Sequence, residues 1–259
     1  MDARPIGMFD SGVGGLSIFS EVKKSLPREN FIFLADQANV PYGGKTKNQL
    51  KKLTQNITDF LLRYDIKLLV VACNTASCYT IDYLREKFPI PVIGVVPAVK
   101  PAASLTRSGR ITVMSTPATA KSPYLKNLIK KVAPNAKILK LGCPGLEEAV
   151  ESQKKDEISR LLSEYVSKVK NFGTDVIVLG CTHYPFLKKD IAEIVGENVN
   201  ILDSGKAIAS RVCIILEKNK MLSPKKLADL FFTTGNPDQF SKVASTLLKY
   251  KIDSQKAQL

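Results

Sequence analysis

Two short stretches carry residues able to move protons. In VIVLGCTHYP, residues 176–185, an apolar run empties into Cys181, Thr182 and His183, and His183 is the sole histidine of the 259-residue chain. KLLVVACNTAS, residues 67–77, follows the same pattern with Cys73, Asn74 and Thr75 before a small residue that opens a helix. A free thiol is only about a few per cent thiolate near neutrality, so a cysteine used as acid or base calls for a helix amino terminus or a neighbouring acid/base group. Asn-Thr and Thr-His offer capping groups that also donate hydrogen bonds to a carboxylate. With the backbone extended through Thr182, Cys181 and His183 share a face. A solitary Cys-Thr-His reads equally well as a small buried hydrophobe beside a capping residue. The second copy tips the balance, because two thiols at two strand ends can be aimed at one point from two domains.

The glycine-rich DSGVGGLS, residues 10–17, adds Asp10. Gly12, Gly14 and Gly15 give G-x-G-G, with Ser17 where the dinucleotide fingerprint requires its last glycine, and no P-loop occurs. What remains is a tight strand-to-helix turn whose N–H groups suit an anion, with Asp10 beside it.

Strand ends must position these residues. Apolar runs alternate with helical stretches, which predicts an α/β fold of mainly parallel sheets flanked by helices. PIGMF (5–9), NFIFLA (30–35), LLVVAC (68–73) and PVIGVV (91–96) form one series; RITVMS (110–115), AKILKL (136–141), DVIVLG (175–180) and VNILD (199–203) form another. VVPAVKPAA, around Pro97 and Pro101, reads as the crossover, and the tail after Gly205 has too little core of its own and is expected to rejoin the first series. Both series open alike, with Asp10-Ser11 after one first strand and Ser115-Thr116 at the end of the other. The expectation is two pseudo-symmetric α/β domains, residues 1–97 with 206–259 carrying Asp10 and Cys73, and residues 98–205 carrying Cys181 and His183, with the active site in the cleft between them. In such sheets ligands collect beyond the carboxyl ends of the strands.

A hydrophobic content of 44% supports one or two ordinary cores. The chain contains no run of about 18 apolar residues suited to a membrane and no apolar secretory segment at its amino terminus. Its five cysteines, Cys73, Cys78, Cys143, Cys181 and Cys213, include no CxxC pair, which fits reduced thiols in a cytoplasm. One histidine and scattered thiols do not supply the closely spaced ligands of a zinc site. The formal charge of +14 is spread along the chain. In TKNQLKKLTQNITDFLLRYD, Leu50, Leu53, Ile57, Phe60, Leu61 and Tyr64 form the apolar stripe and the lysines face solvent. With no nucleic-acid module present, no specific nucleic-acid partner is expected.

FDSGVGGLS, ADQANVPYGGKT, VVACNTAS, GCTHYP and DSGKAIA, in this order and at these separations, resemble the glutamate racemases over residues 6 to about 212. CNTAS and GCTH alone mark the wider aspartate/glutamate racemase superfamily, whereas DSGVGGLS and the PYG segment point to the narrower group. The resemblance implies a cofactor-independent cytoplasmic isomerase, using neither pyridoxal phosphate nor metal, that supplies D-glutamate for peptidoglycan synthesis and assembles as a homodimer. It implies that Cys73 handles the α-proton of D-glutamate and Cys181 that of L-glutamate, with Asp10 assisting the first and His183 the second. It further implies substrate binding by Asp10, Ser11, Tyr42, Gly43, Asn74, Thr75, Thr182 and His183, with Thr116 and Thr119 as additional hydroxyl donors. The chemistry explains the paired thiols. Racemisation removes the α-hydrogen from one face and returns a proton to the other, so two groups flank a carbanion-like intermediate stabilised by positioning and hydrogen bonds.

Members of that group often carry a CPxFxPLxE-like stretch whose glutamate lies close to the second cysteine. This chain has CPGLEEAVES, residues 143–152, and ungapped alignment from Cys143 gives that catalytic place to Glu151. Glu147 and Glu148 are then extra acids expected on a solvent-facing turn, and Cys78, Cys143 and Cys213 are packing residues. Two alternatives remain: a superfamily relative racemising another substrate such as aspartate or a hydantoin, and a non-catalytic protein binding an acidic ligand or, through its basic surface, nucleic acid.

Overall fold

A strand covered on both faces needs an unbroken apolar run, and IGMFD, FIFLA and LLVV supply it. They form β1 (Ile6–Asp10), β2 (Phe31–Ala35) and β3 (Leu68–Val71), buried at every residue. The computed structural model describes residues 1–259, which divide into two compact units, Met1–Val95 with Gly205–Leu259, and Val96–Ser204. In the first unit these strands are interleaved with α1 (Leu16–Ser25), α2 (Lys47–Leu62) and α3 (Asn74–Lys87) and followed by β4 (Val92–Gly94). The second unit comprises α4 (Val99–Leu105), β5 (Arg110–Ser115), α5 (Pro117–Lys121), α6 (Pro123–Val132), β6 (Lys137–Gly142), α7 (Leu146–Glu151), α8 (Lys155–Phe172), β7 (Val176–Leu179), α9 (Lys188–Val195) and β8 (Asn200–Leu202). The chain then returns to the first unit with α10 (Gly205–Lys218), β9 (Leu230–Thr233), α11 (Pro237–Leu248) and β10 (Ser254–Lys256).

All strand pairs are parallel. The first sheet runs β10-β9-β2-β1-β3-β4 and the second β6-β5-β7-β8. Without β9 and β10 the two orders coincide, β2-β1-β3-β4 against β6-β5-β7-β8, so the pseudo-symmetry is one of topology. In each unit the chain leaves the first strand to one side and returns on the other, and the adjacent carboxyl ends of β1 with β3, and of β5 with β7, are where such sheets open a crevice.

On α2, Leu50, Ile57, Phe60 and Leu61 are buried as the stripe predicts and Leu53 is half-buried, as is Tyr64 in the turn just past the helix. Thr54 and Thr58 join the buried face because their hydroxyls donate to the carbonyls of Leu50 and Thr54 at 2.8 and 2.7 Å. Thr46 and Gln49 start this helix with a reciprocal capping box. At the opposite end of the first unit, the fully buried Lys67 pairs with Glu29 at 2.6 Å and donates to the carbonyls of Asp2 and Met221, while Glu29 accepts from the N–H of Ser223. Breaking such a pair strands a buried charge, at a cost of about 3–5 kcal/mol. The segment after α10 is thereby tied to β2 and β3.

Candidate active site

Each unit holds one of the two thiols at the end of its third strand. In the first unit the ladder continues past the strands, with Ala72 N–H donating to the Phe9 carbonyl at 2.8 Å and Asp36 N–H to the Asp10 carbonyl at 2.9 Å. Asp10 and Cys73 therefore emerge on adjacent strands. Cys73 is the N-cap of α3, its Sγ accepting from Ala76 N–H at 3.4 Å, and negative charge is favoured at a helix amino terminus. Ser11 Oγ lies 3.8 Å from Cys73 Sγ and donates to Asp10 Oδ1 at 3.3 Å. The N–H groups of the glycine turn are in part used internally, since Gly12 N–H donates to Asp10 Oδ1 at 2.9 Å. A Cβ at Gly15 would come within 2.5 Å of Asp10 Cβ, so the missing side chain is what lets the turn close over the carboxylate.

Asn74 and Thr75 open α3 and are buried, and the Asn74 amide reaches the Val95 carbonyl at 3.4 Å. Tyr42, in a short 3-10 turn with the half-buried Gly43, donates its hydroxyl to Asp36 Oδ2 at 2.7 Å. Burial first, then the Asp36 carboxylate, and then Cys73 and Asp10 hold its hydroxyl well above the usual tyrosine range. Asp36 also accepts from Asn39 and from Thr234. It was not singled out from the sequence, because Asn39 and Tyr42 reach it only through the turns after β2 and its third partner, Thr234 just past β9, lies far along the chain; its one signal was its place at a strand end in ADQANVPYGGKT.

In the second unit, Cys181 and His183 do not sit on an extended backbone. The strand stops at Leu179, His183 has a helical φ of −76°, and Tyr184 N–H closes a turn onto the Cys181 carbonyl at 3.2 Å, leading into a 3-10 helix over Tyr184–Leu187. The two side chains still meet, with Cys181 Sγ 3.6 Å from His183 Nδ1, because the turn folds residues two apart onto each other. His183 Nε2 lies 2.6 Å from Glu151 Oε1. Thiol, imidazole and carboxylate thus form one chain, with the cysteine and the histidine buried. Burial works against the charged imidazole, but the bonds to Cys181 and Glu151 outweigh it and hold His183 well above its ordinary value. Burial pushes the Cys181 thiol up, opposed by the His183 bond and reinforced by Glu147.

Glu151 ends α7, whose N-cap, Gly145, has a left-handed φ of 81° that a glycine adopts freely. Glu147 is a correction to the solvent-facing turn: it is only 6% exposed, because α7 presents Leu146, Ala149 and Val150 to the core and carries Glu147 in with them, whereas Glu148 is exposed. Tyr184, also unanticipated, is wholly buried and donates to the Cys143 carbonyl at 3.3 Å. Burial, and then the nearness of Cys181, drive the Cys143 thiol up to about 12, so it packs as an inert neutral group. Thr182 is buried, and Thr116 and Thr119 form a hydroxyl pair at 3.2 Å where Thr116 caps α5. Nowhere do three or more His, Cys, Asp or Glu side chains form a group able to hold a metal ion, and no helix is long and apolar enough to cross a membrane.

Residues 17–212 match the family described as Asp/Glu/Hydantoin racemase. A glutamate racemase of Herpetosiphon aurantiacus is 41% identical over 251 residues, covering 95% of this chain and 99% of that protein. Among solved structures, a glutamate racemase of Bacillus anthracis matches with a TM-score of 0.90 at 31% identity, covering 100% of this chain and 99% of that one. The glutamate racemase of Francisella tularensis, crystallised with D-glutamate, matches with a TM-score of 0.87 at 30% identity, covering 100% and 98%.

Proposed function

We infer, since this chain belongs to the glutamate racemases within the Asp/Glu/Hydantoin racemase family, that it interconverts L- and D-glutamate at the α-carbon and so supplies D-glutamate for peptidoglycan synthesis. The observation that supports the mechanism is the pair of thiols, each at the end of its unit's third strand and each touching a polar side chain that is itself bonded to a carboxylate: Cys73 touches Ser11, which donates to Asp10, and Cys181 touches His183, which is bonded to Glu151.

The Cys181 thiolate takes the α-hydrogen of L-glutamate as a proton, and the C–H electron pair stays on the α-carbon, delocalised into the adjoining carboxylate. The Cys73 thiol gives its proton to the opposite face, leaving D-glutamate, a Cys73 thiolate and a Cys181 thiol. D-glutamate runs the same steps in reverse. His183, held charged by Glu151, stabilises the Cys181 thiolate, and the Asp10–Ser11 pair does the corresponding work beside Cys73. Ser11, Tyr42, Gly43, Asn74 and Thr75 from the first unit, and Thr116, Thr119, Thr182 and His183 from the second, provide hydroxyl, amide, main-chain and imidazole donors for the substrate carboxylates, with Asp10 as an acceptor for its ammonium group.

Both thiols must stay reduced for this chemistry, and all five cysteines are free, which supports action in the reducing cytoplasm. Assembly as a homodimer is part of the same reading and is tested by sedimentation. For the activity itself, dialysed enzyme is added to L-glutamate and followed by circular dichroism without any added cofactor. The signal is expected to decay to zero; a persistent signal, or faster turnover of L-aspartate, would sink the glutamate assignment.

A further inference from the structure

Glu147 has no part in the steps above, yet it is buried beside them. Residues four apart lie on one face of a helix, so Glu147 stands one turn before Glu151 on α7, on the face whose direction is fixed by the 2.6 Å contact between Glu151 and His183. Its helix neighbours Leu146, Ala149 and Val150 pack in the same cluster as Cys181 and Tyr184. A carboxylate taken out of water is costly, and packing alone would be served by an apolar residue.

We propose that Glu147 is a second acidic positioning residue of the Cys181 centre, acting on that sulfur in opposition to Glu151 and favouring its protonated form in the free enzyme. This rests on the racemase reading. Cys181 is faced by His183 and Tyr184 from its own turn, by Glu147 from α7, by Cys143 from the loop after β6, with Glu151 of α7 beyond His183 and Tyr165 of α8 beyond Tyr184. The two acids of α7 pull in opposite directions. Glu151 holds positive charge on His183 next to the sulfur and favours thiolate, whereas Glu147 adds negative charge and disfavours it.

The test reads Cys181 without requiring turnover. Full-length enzyme is treated with iodoacetamide over a range of pH, and the peptides carrying Cys181 and Cys73 are quantified separately by mass spectrometry. Glu147→Gln is expected to move the Cys181 midpoint to lower pH, with alkylation several-fold faster on its acid side, while Cys73 is unchanged and Glu147→Asp keeps the wild-type profile. An unchanged Cys181 profile in a natively folded Glu147→Gln variant overturns the proposal, and so does equal acceleration at both thiols, which would report general loosening. Glu147→Met supplies a second neutral variant; failure of both neutral variants to fold makes Glu147 a structural residue and likewise overturns it. Wild-type enzyme that leaves L-glutamate unracemised would fail the functional reading instead, with the alkylation profile still deciding the role of Glu147 at Cys181.

Discussion

The two thiols occupy equivalent places in two sheets of the same strand order but are supported by different physics. Cys73 caps a 14-residue α-helix and accepts a main-chain N–H, so much of its support comes from backbone dipoles, which do not titrate. Cys181 is followed by a turn and a four-residue 3-10 helix without a side-chain cap, and its support is an imidazole backed by the Glu151 carboxylate, groups that do titrate. A duplicated topology therefore did not duplicate the electrostatics, and pH dependence is expected to enter mainly through the second centre.

The largest effects come from removing either thiol. Cys73→Ala and Cys181→Ala should each cut racemisation by about a thousandfold or more with an unchanged far-ultraviolet circular dichroism spectrum, since each change removes one atom just past a strand end and leaves the apolar strands in place. In heavy water the first variant should exchange the α-hydrogen of L-glutamate in preference to D-glutamate, and the second the reverse. Equal deuterium uptake from both enantiomers by one variant would show that the faces are wrongly assigned.

The comparison sharpens one shell further out. His183→Asn is expected to lower kcat by about a hundredfold, because the imidazole is the direct neighbour of its thiol, and Ser11→Ala by about tenfold, because the helix terminus at Cys73 remains. Steady-state kinetics giving the opposite ranking would remove the distinction between backbone and side-chain support.

Glu151→Gln should reduce kcat by about tenfold and alter stability in a pH-dependent way. The proton affinity of His183 is raised in the fold despite burial, by Cys181 and Glu151. The resulting stability is fully present below the unfolded imidazole value of about 6.5 and is lost as pH rises through the higher folded value. Melting temperatures of wild type and variant should thus differ most in mildly acidic buffer and converge in alkaline buffer. A gap independent of pH would assign Glu151 a packing role only.

The smallest effect belongs to Asp175, at the far end of β7 from Cys181. Burial opposes its charge, but bonds from the Thr106 hydroxyl and the N–H groups of Ser108 and Arg107 hold its carboxyl down to about 2. Its stabilisation is present above the unfolded value of about 3.9 and is lost as pH falls through the folded one. Because the group is only half-buried and solvent screens its bonds, Asp175→Asn should cost only about 1 kcal/mol, with racemisation unchanged. Loss of activity in thermally intact Asp175→Asn protein would show that strain in the second unit reaches its thiol.

Strands buried on both faces were legible from composition alone, as with β1, β2, β3 and β7, because an unbroken apolar run has few other places to go. Ser254–Lys256 was not, since three polar residues become a strand only through their pairing with Phe231–Thr233. At the candidate site the residue types and strand ends could be read, but not the path between them: alternation suggested an extended Cys181-Thr182-His183, and the contact is made by a turn. Asp36 and Glu147 were missed or misplaced for a common reason. The carboxylate of Asp36 is held by turns after β2 together with the distant Thr234, and that of Glu147 is carried inward by the way a whole helix packs, and neither leaves a periodic pattern in the sequence.

The discontinuity of the first unit bears on the order in which a ribosome delivers the chain. Residues 96–204 emerge as one uninterrupted stretch, and every strand of their sheet is present before β9 has been made. Residues 1–95 emerge earlier but must wait, because the edge of β2 that pairs with Leu230–Thr233 and the Glu29 carboxylate that accepts from Ser223 both lack their partners until the whole of the second unit and α10 have been made. The inserted unit can therefore reach its native state first, while the amino-terminal half-sheet, with an open apolar edge, is the part of the nascent protein most exposed to mispairing and to chaperone capture.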